Sequence, residues 1–191
     1  MQVDIFGGMP MNNPGKRFEQ DFSSSIHSDC LLHRLKDSAQ SYNNNKTTKF
    51  AWDNPCDFFL YKKPYFYAIE CKSTKYKSMS FQNGESDKTS KMIKYHQIKS
   101  LKDFSMYDGA IAGFLLNFRD EENDIQRTYF QDIKSFLDML KSINKGSFNE
   151  IDLICHSAIK VNGNKKRTRY SWDISKLLKD IDESFFDSQS I

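Results

Sequence analysis

An α/β fold, with a mixed central β-sheet flanked by α-helices, is what this sequence predicts. Runs at 58–61 and 66–72, rich in aromatic and β-branched residues, the strongly apolar run 109–119 and the run 126–130 read as strands. Between and after them, residues 15–27, 90–104, 132–140 and 174–185 place apolar side chains at helical spacing. The chain has 191 residues, 38% hydrophobic and 28% charged, which suits one soluble domain with a single sizeable core. Sixteen Phe and nine Tyr supply much of the apolar volume that core needs. The expected layout is a loosely ordered arm over residues 1–13 and one domain over 14–186.

The elements follow in order. Pro14 opens the first helix, where Phe18, Phe22 and Ile26 recur every fourth residue and Glu19 lies beside the stripe. Residues 31–35 form a short strand. Residues 37–54 are rich in Ser, Asn, Thr and Lys without apolar rhythm and read as a loop. Strands 58–61 and 66–72 flank a turn at Lys62-Lys63-Pro64-Tyr65, making a hairpin. A second polar stretch covers residues 74–89. Ser90 then caps a helix to Phe104 whose one face carries Ile93, Gln97, Leu101 and Phe104, so Gln97 is expected among buried positions and needs a partner. The apolar run 109–119 reads as a central strand, 121–124 as a turn, and Asp132 as the cap of a helix with Ile133, Phe136, Leu137 and Leu140. Further on, Asn162-Gly163 signals a hairpin turn with basic residues on its far arm, and residues 174–185 a closing amphipathic helix.

The hairpin carries the chemistry. Asp57 opens its first strand; Glu70, Cys71 and Lys72 lie on its second. Side chains alternate along a strand, so Glu70 and Lys72 share one face and Cys71 points to the other. A turn centred on Lys63-Pro64 sets Asp57 opposite Glu70. Cross-strand neighbours have Cβ atoms roughly 5 Å apart, and like charges so placed repel. A divalent cation between the carboxylates resolves that conflict, and Lys72 on the same face can reach a phosphate or water there. An ordinary turn cap at Asp57 with an exposed Glu70–Lys72 ion pair is the competing account. Likewise Glu19 is equally a first-turn glutamate favoured by the helix dipole, and Gln97 a glutamine satisfied by backbone.

Pro55-Cys56-Asp57 followed by Glu70-Cys71-Lys72 is similar to the PD-(D/E)xK nuclease motif, with Cys56 inserted after the proline. The order of elements adds to this: Gly15-Lys16-Arg17-Phe18-Glu19 on the first helix, a strand, Asp57, Glu70-x-Lys72, then a helix with Tyr95-His96-Gln97. That order resembles the RecU family of Holliday junction resolvases over about residues 12–178, with the archaeal Hjc resolvases more distantly similar. The resemblance implies a restriction-endonuclease-like fold and hydrolysis of DNA with Mg²⁺ or Mn²⁺, on four-way or otherwise branched junctions, by a homodimer. It implies an acidic cluster of Glu19, Asp57 and Glu70, with the Cys71 carbonyl as a further metal ligand. Lys72 is then the catalytic lysine and Gln97 a supporting polar group. In RecU the segment between the first two strands is long and forms a stalk that enters the junction; here it is shorter. A sequence-specific restriction-type endonuclease and a non-catalytic DNA-binding or recombination-regulating protein are the alternatives.

Net charge is only +3, so a nucleic-acid partner requires local basic patches rather than a global field. Such patches occur at Lys62-Lys63, residues 72–77, residues 88–102 and residues 165–169. The residues expected to contact DNA are Lys16, Arg17, Arg34, Lys75, Lys77, Lys165, Lys166, Arg167 and Arg169, with Tyr170 or Trp172 packing behind the last group. No run of about 18 apolar residues occurs, so no membrane partner is expected, and the absence of a signal-peptide layout makes the cytoplasm the expected compartment. Cys30, Cys56, Cys71 and Cys155 lack metal-ligand spacing and read as reduced core thiols. The Gly8–Lys16 region lacks the spacing of a phosphate loop.

Overall fold

A computed structural model describes residues 13–35 and 54–189. Residues 1–12 of the expected arm and 37–53 of the expected loop lie outside them. The elements run α1 (Pro14–Ser24), β1 (Leu31–Arg34), β2 (Phe58–Lys62), β3 (Tyr65–Thr74), β4 (Ser78–Ser80) and α2 (Tyr95–Phe104). They continue with β5 (Ala110–Asp120), β6 (Ile125–Asp132), α3 (Ile133–Ser142), β7 (Ser147–Asn149) and α4 (Glu150–Cys155). The last are β8 (Ile159–Val161), β9 (Gly163–Lys166), β10 (Arg169–Trp172) and α5 (Ile174–Gln189).

Six strands form the central sheet in the spatial order β1-β2-β3-β5-β6-β8. Within it β3 and β5 are parallel and the other neighbours antiparallel, which is the mixed sheet expected. A parallel pair needs a crossover between its strands, and here the crossover carries β4 and α2. Apolar residues fill both faces of the sheet. On one, Ala68, Phe114 and Phe118 pack under Ile98 and Leu101 of α2 and Ile133, Phe136 and Met139 of α3. On the other, Leu60, Tyr67, Ile69 and Leu115 meet Phe18 and Phe22 of α1 and Ile174, Leu177 and Ile181 of α5. Helices on both faces explain why the central strand β5 is apolar throughout most of its length rather than alternating.

Local chemistry set several boundaries as expected. The Asn13 side chain accepts from the N–H groups of Gly15 and Lys16 (3.0 and 3.4 Å), and Pro14 occupies the first helical position. Asp132 accepts from Ser135 N at 2.9 Å and so caps α3. The β2–β3 hairpin pairs Phe58 with Ile69 and Lys62 with Tyr65; Asp57 lies just before β2, its N–H bonded to Ile69 O and its side chain to Cys71 N, the residues on either side of Glu70.

Four expectations need correction. Residues 74–89 are not wholly a polar connection, because β4 pairs with β7 and buries Met79 against Phe148. Three residues are too few for a period-two signal to stand out. The second helix starts at Tyr95, not Ser90; Ile93 is extended, bridges Phe81 and donates its N–H to Ser80 O at 3.0 Å. Asn162-Gly163 is not the hairpin turn. The β9–β10 turn sits at Arg167-Thr168, with Arg167 at φ 47°, while Gly163 lies under Trp172, whose ring a Cβ there would strike. Finally, Cys56 and Cys71 are buried but Cys155 is exposed, so not every cysteine is a core thiol.

Candidate active site

Strand directions gather the candidate residues at one margin of the sheet. β3 and β5 are parallel and end together; β2, antiparallel to β3, begins there, and β1 ends there. That margin therefore holds Arg34, Asp57, Glu70 and Lys72. Asp57 is fixed by its backbone on both sides, its N–H donating to Ile69 O (3.2 Å) and its carbonyl accepting from Leu35 N (2.9 Å). Its side chain then takes over where the ladder stops, Oδ2 accepting the N–H of Cys71 at 2.8 Å. In a strand the N–H and C=O of one residue face the same neighbour. The carbonyl of Cys71 is thus directed to the same edge as Asp57.

Glu70 is 3% exposed and is the best-covered carboxylate of this margin. Its Oε1 accepts from Lys72 Nζ at 2.6 Å and from Gln97 Nε2. Gln97 is itself oriented by its Oε1, which accepts from Lys94 N (3.0 Å) in the capping box of α2. Gln97 is half-buried rather than buried, because α2 begins only at Tyr95 and turns Ile98 and Leu101 to the core; its partners are the Glu70 carboxylate and the Lys94 backbone N–H, not the lysine side chain. Cys71 points to the opposite face, into the core with Ile69 and Leu115, as strand alternation requires.

Glu19 approaches from α1 and is held by Arg34, whose Nη2 and Nε donate to Oε2 at 2.7 and 3.3 Å. Arg34, expected to face DNA, is engaged by this carboxylate. The electrostatics record how crowded the margin is. Burial, and after it the charge of Glu70, pushes the Asp57 carboxyl up to about 7, against the opposing Cys71 N–H bond; Glu19 adds a smaller push. Burial likewise raises Glu70, against the opposing charge of Lys72. Cys56, the inserted residue of the motif, is buried and its thiol is pushed up to about 12, first by burial and then by Glu70 and Asp57. It is no nucleophile.

A buried carboxylate, Glu70, and a half-buried one, Asp57, held near each other at a cost form a site that a hard cation would relieve, and their oxygens match Mg²⁺ or Mn²⁺. Among the described residues no three His, Cys, Asp or Glu side chains are gathered closely enough to hold an ion by themselves. The oxygens that could serve such an ion at this margin are those of Asp57 and Glu70, with the Cys71 carbonyl directed to the same edge.

The remaining candidates divide by what they touch. Lys16, Arg17, Lys75, Lys77, Lys166 and Arg167 are exposed, and none makes an ion pair among the described residues. Lys165 pairs with Asp124, and Arg169 with the buried Asp21. Tyr170 stacks on the buried Trp172 with centroids 5.2 Å apart. Two arrangements escaped sequence reasoning. Asp21 and Ser25 of the α1 region clasp β10, Ser25 Oγ accepting from Trp172 N at 2.9 Å, which mounts the basic hairpin on α1. Next to Lys72, Ser73 Oγ donates to Asn117 Oδ1 (2.7 Å) and accepts from Arg119 Nε (3.0 Å). Asn117, fully buried in an otherwise apolar run, was the legible signal of that network. No helix of the described residues is long and apolar enough to cross a membrane.

No family model matches the chain. It is 31% identical over 182 residues to the SPbeta prophage-derived uncharacterized protein YotM of Bacillus subtilis (strain 168), covering 91% of this chain and 89% of that protein. Among solved structures it is similar to Hjc, a Holliday junction resolvase of the archaeal hyperthermophile Archaeoglobus fulgidus. That match has 17% identity and a TM-score of 0.48, and covers 76% of this chain and 95% of the other.

Proposed function

The chain belongs to the family of the prophage-derived protein YotM, and we propose that it is a metal-dependent DNA endonuclease that nicks branched DNA. The observation that carries the reading is Asp57 placed beside Glu70 at the sheet margin, bonded to the residues on either side of it, with Lys72 bonded to that glutamate. A structural ion pair has no need of a second carboxylate beside it whose proton is held to about 7.

In this reading Asp57, Glu70 and the Cys71 carbonyl hold Mg²⁺ or Mn²⁺, with Glu19 supporting the site. The ion, when bound, neutralises charge on the attacked phosphodiester and lowers the pKa of a water. The chain's own residues do the positioning. Gln97 fixes the rotamer of Glu70, the Cys71 N–H fixes that of Asp57, and Arg34 fixes Glu19. Lys72 Nζ, already at the margin, donates to a phosphate oxygen or orients the attacking water, where a fixed cation stabilises charge that grows in the transition state. Lys16, Arg17, Lys75, Lys77, Lys166 and Arg167 serve as phosphate contacts around it. The preference for four-way junctions, and the twofold dimer that paired incisions require, rest on the order of motif residues along the chain.

The test is nicking of a labelled four-way junction in Mg²⁺, compared with EDTA and with the Asp57→Asn protein. Cleavage by the wild type alone, and only with metal, is the expected result. Equal cutting by Asp57→Asn sinks the assignment.

A further inference from the structure

Beyond Thr74 the chain leaves the sheet, and the next three residues are Lys75, Tyr76 and Lys77, all exposed. Tyr76 stands 66% exposed, its N–H donating to Thr74 Oγ1 at 3.0 Å, with the Lys75 ammonium 5.8 Å from its ring centroid. An open groove of about 740 Å³ starts at this ring and is lined by Ser78, Ser80, Ser90, Lys91 and Ser147 among others. None of its described lining residues is acidic. Strand alternation produces that lining, since Met79 packs inward on Phe148 and so turns Ser78 and Ser80 outward. The cleft between α1 and the β9–β10 hairpin differs, being lined by Asp21, Asp120, Glu121 and Asp124 as well as by cations.

Two short stretches of chain link the groove to the acidic margin. Tyr76 follows Lys72 by four residues along the chain. Ser80 accepts from Ile93 N through its carbonyl (3.0 Å) and from Met92 N through its hydroxyl (3.2 Å), which anchors the segment leading into α2 and Gln97. An exposed ring between lysines, then hydroxyls and a lysine with no carboxylate, is chemistry suited to unpaired DNA. The ring stacks a base, and the ammonium and hydroxyl groups bond phosphates. Bases in an intact duplex are stacked on each other and offer the ring no free face.

We propose that this groove receives an unpaired DNA strand next to the scissile phosphate, with Tyr76 stacking a base and Lys91 contacting the backbone. The proposal rests on reading Asp57, Glu70 and Lys72 as the nuclease centre. Binding of a fluorescent oligothymidylate in EDTA, where nothing is cut, tests it with Tyr76→Ala, Tyr76→Phe and Lys91→Ala. Tyr76→Ala should weaken binding by about tenfold, Tyr76→Phe should bind as the wild type does, and affinity for a duplex of equal length should not change. Lys91→Ala should flatten the log–log salt slope by about 0.7. Wild-type affinity in Tyr76→Ala, or an equal loss on duplex, overturns the proposal. Junction cleavage by the wild type in Mg²⁺ separates the two readings. A protein that binds oligothymidylate through Tyr76 yet cuts nothing keeps the groove and loses the nuclease centre. One that cuts, with Tyr76→Ala binding unaltered, keeps the centre and loses the groove.

Discussion

Asp57 makes the stability of the metal-free protein depend on pH in a direction opposite to that of an ordinary salt-bridged carboxylate. Unfolded, it ionises at its ordinary value of 3.8; folded, it holds its proton to about 7. Between those values the folded state binds the extra proton, so the stabilisation is complete below the lower value and is lost as pH rises through the upper one. Each pH unit in that window costs about 1.4 kcal/mol, so going from pH 5 to pH 8 in EDTA costs about 3 kcal/mol from this group. For a chain of this length that lowers the Tm by roughly 6–12 °C. Glu70, also raised by burial, acts in the same direction. Asp57→Asn is the informative substitution, because its amide oxygen can still accept the Cys71 N–H while the charge is gone. Thermal unfolding followed by circular dichroism from pH 5 to 8 should show a steep fall in Tm for the wild type and a shallow one for Asp57→Asn. Adding Mg²⁺ at pH 8 should raise the wild-type Tm and leave that of Asp57→Asn unmoved, since in the proposed reading the substitution removes a ligand of the ion. Parallel pH curves for the two proteins would refute the argument.

Glu70→Gln should abolish cleavage while leaving DNA affinity equal or higher, as read by gel shift in Ca²⁺ or EDTA; a residual rate near wild type in saturating Mg²⁺ counts against its role. Lys72→Ala should lower kcat more than it lowers DNA affinity, because a contact made in the transition state acts on the chemical step; equal losses would reduce Lys72 to a phosphate clamp. Neutralising Lys166 and Arg167 together should weaken all DNA alike and flatten the salt slope by roughly one per contact, whereas altering Lys165 or Arg169 should also disturb the protein, since each serves a carboxylate. Competition of junction against duplex at matched salt, with light scattering of the free and bound protein, should show a junction-preferring dimer; equal affinities with sequence-specific duplex cuts would favour a restriction-type enzyme.

Much of this architecture is legible along the chain because it arises from neighbours in sequence. Alternation and a turn at Lys63-Pro64 suffice to bring Asp57 beside Glu70 and to turn Cys71 away, and Pro14 and Asp132 mark helix starts by local hydrogen bonding. What escaped that reading depends on partners far away in sequence. Met79 and Ile93 look like isolated apolar residues until β7 and Phe81 arrive beside them. Gly163 has the local signature of a turn, but the bulk of Trp172, nine residues on, is what excludes a side chain there. Arg34 and Arg169 read as free cations, and only the packing of α1 against the sheet brings Glu19 and Asp21 to them. Charge on a side chain is local information; whether that charge remains available to a ligand is decided by the carboxylates that folding places next to it.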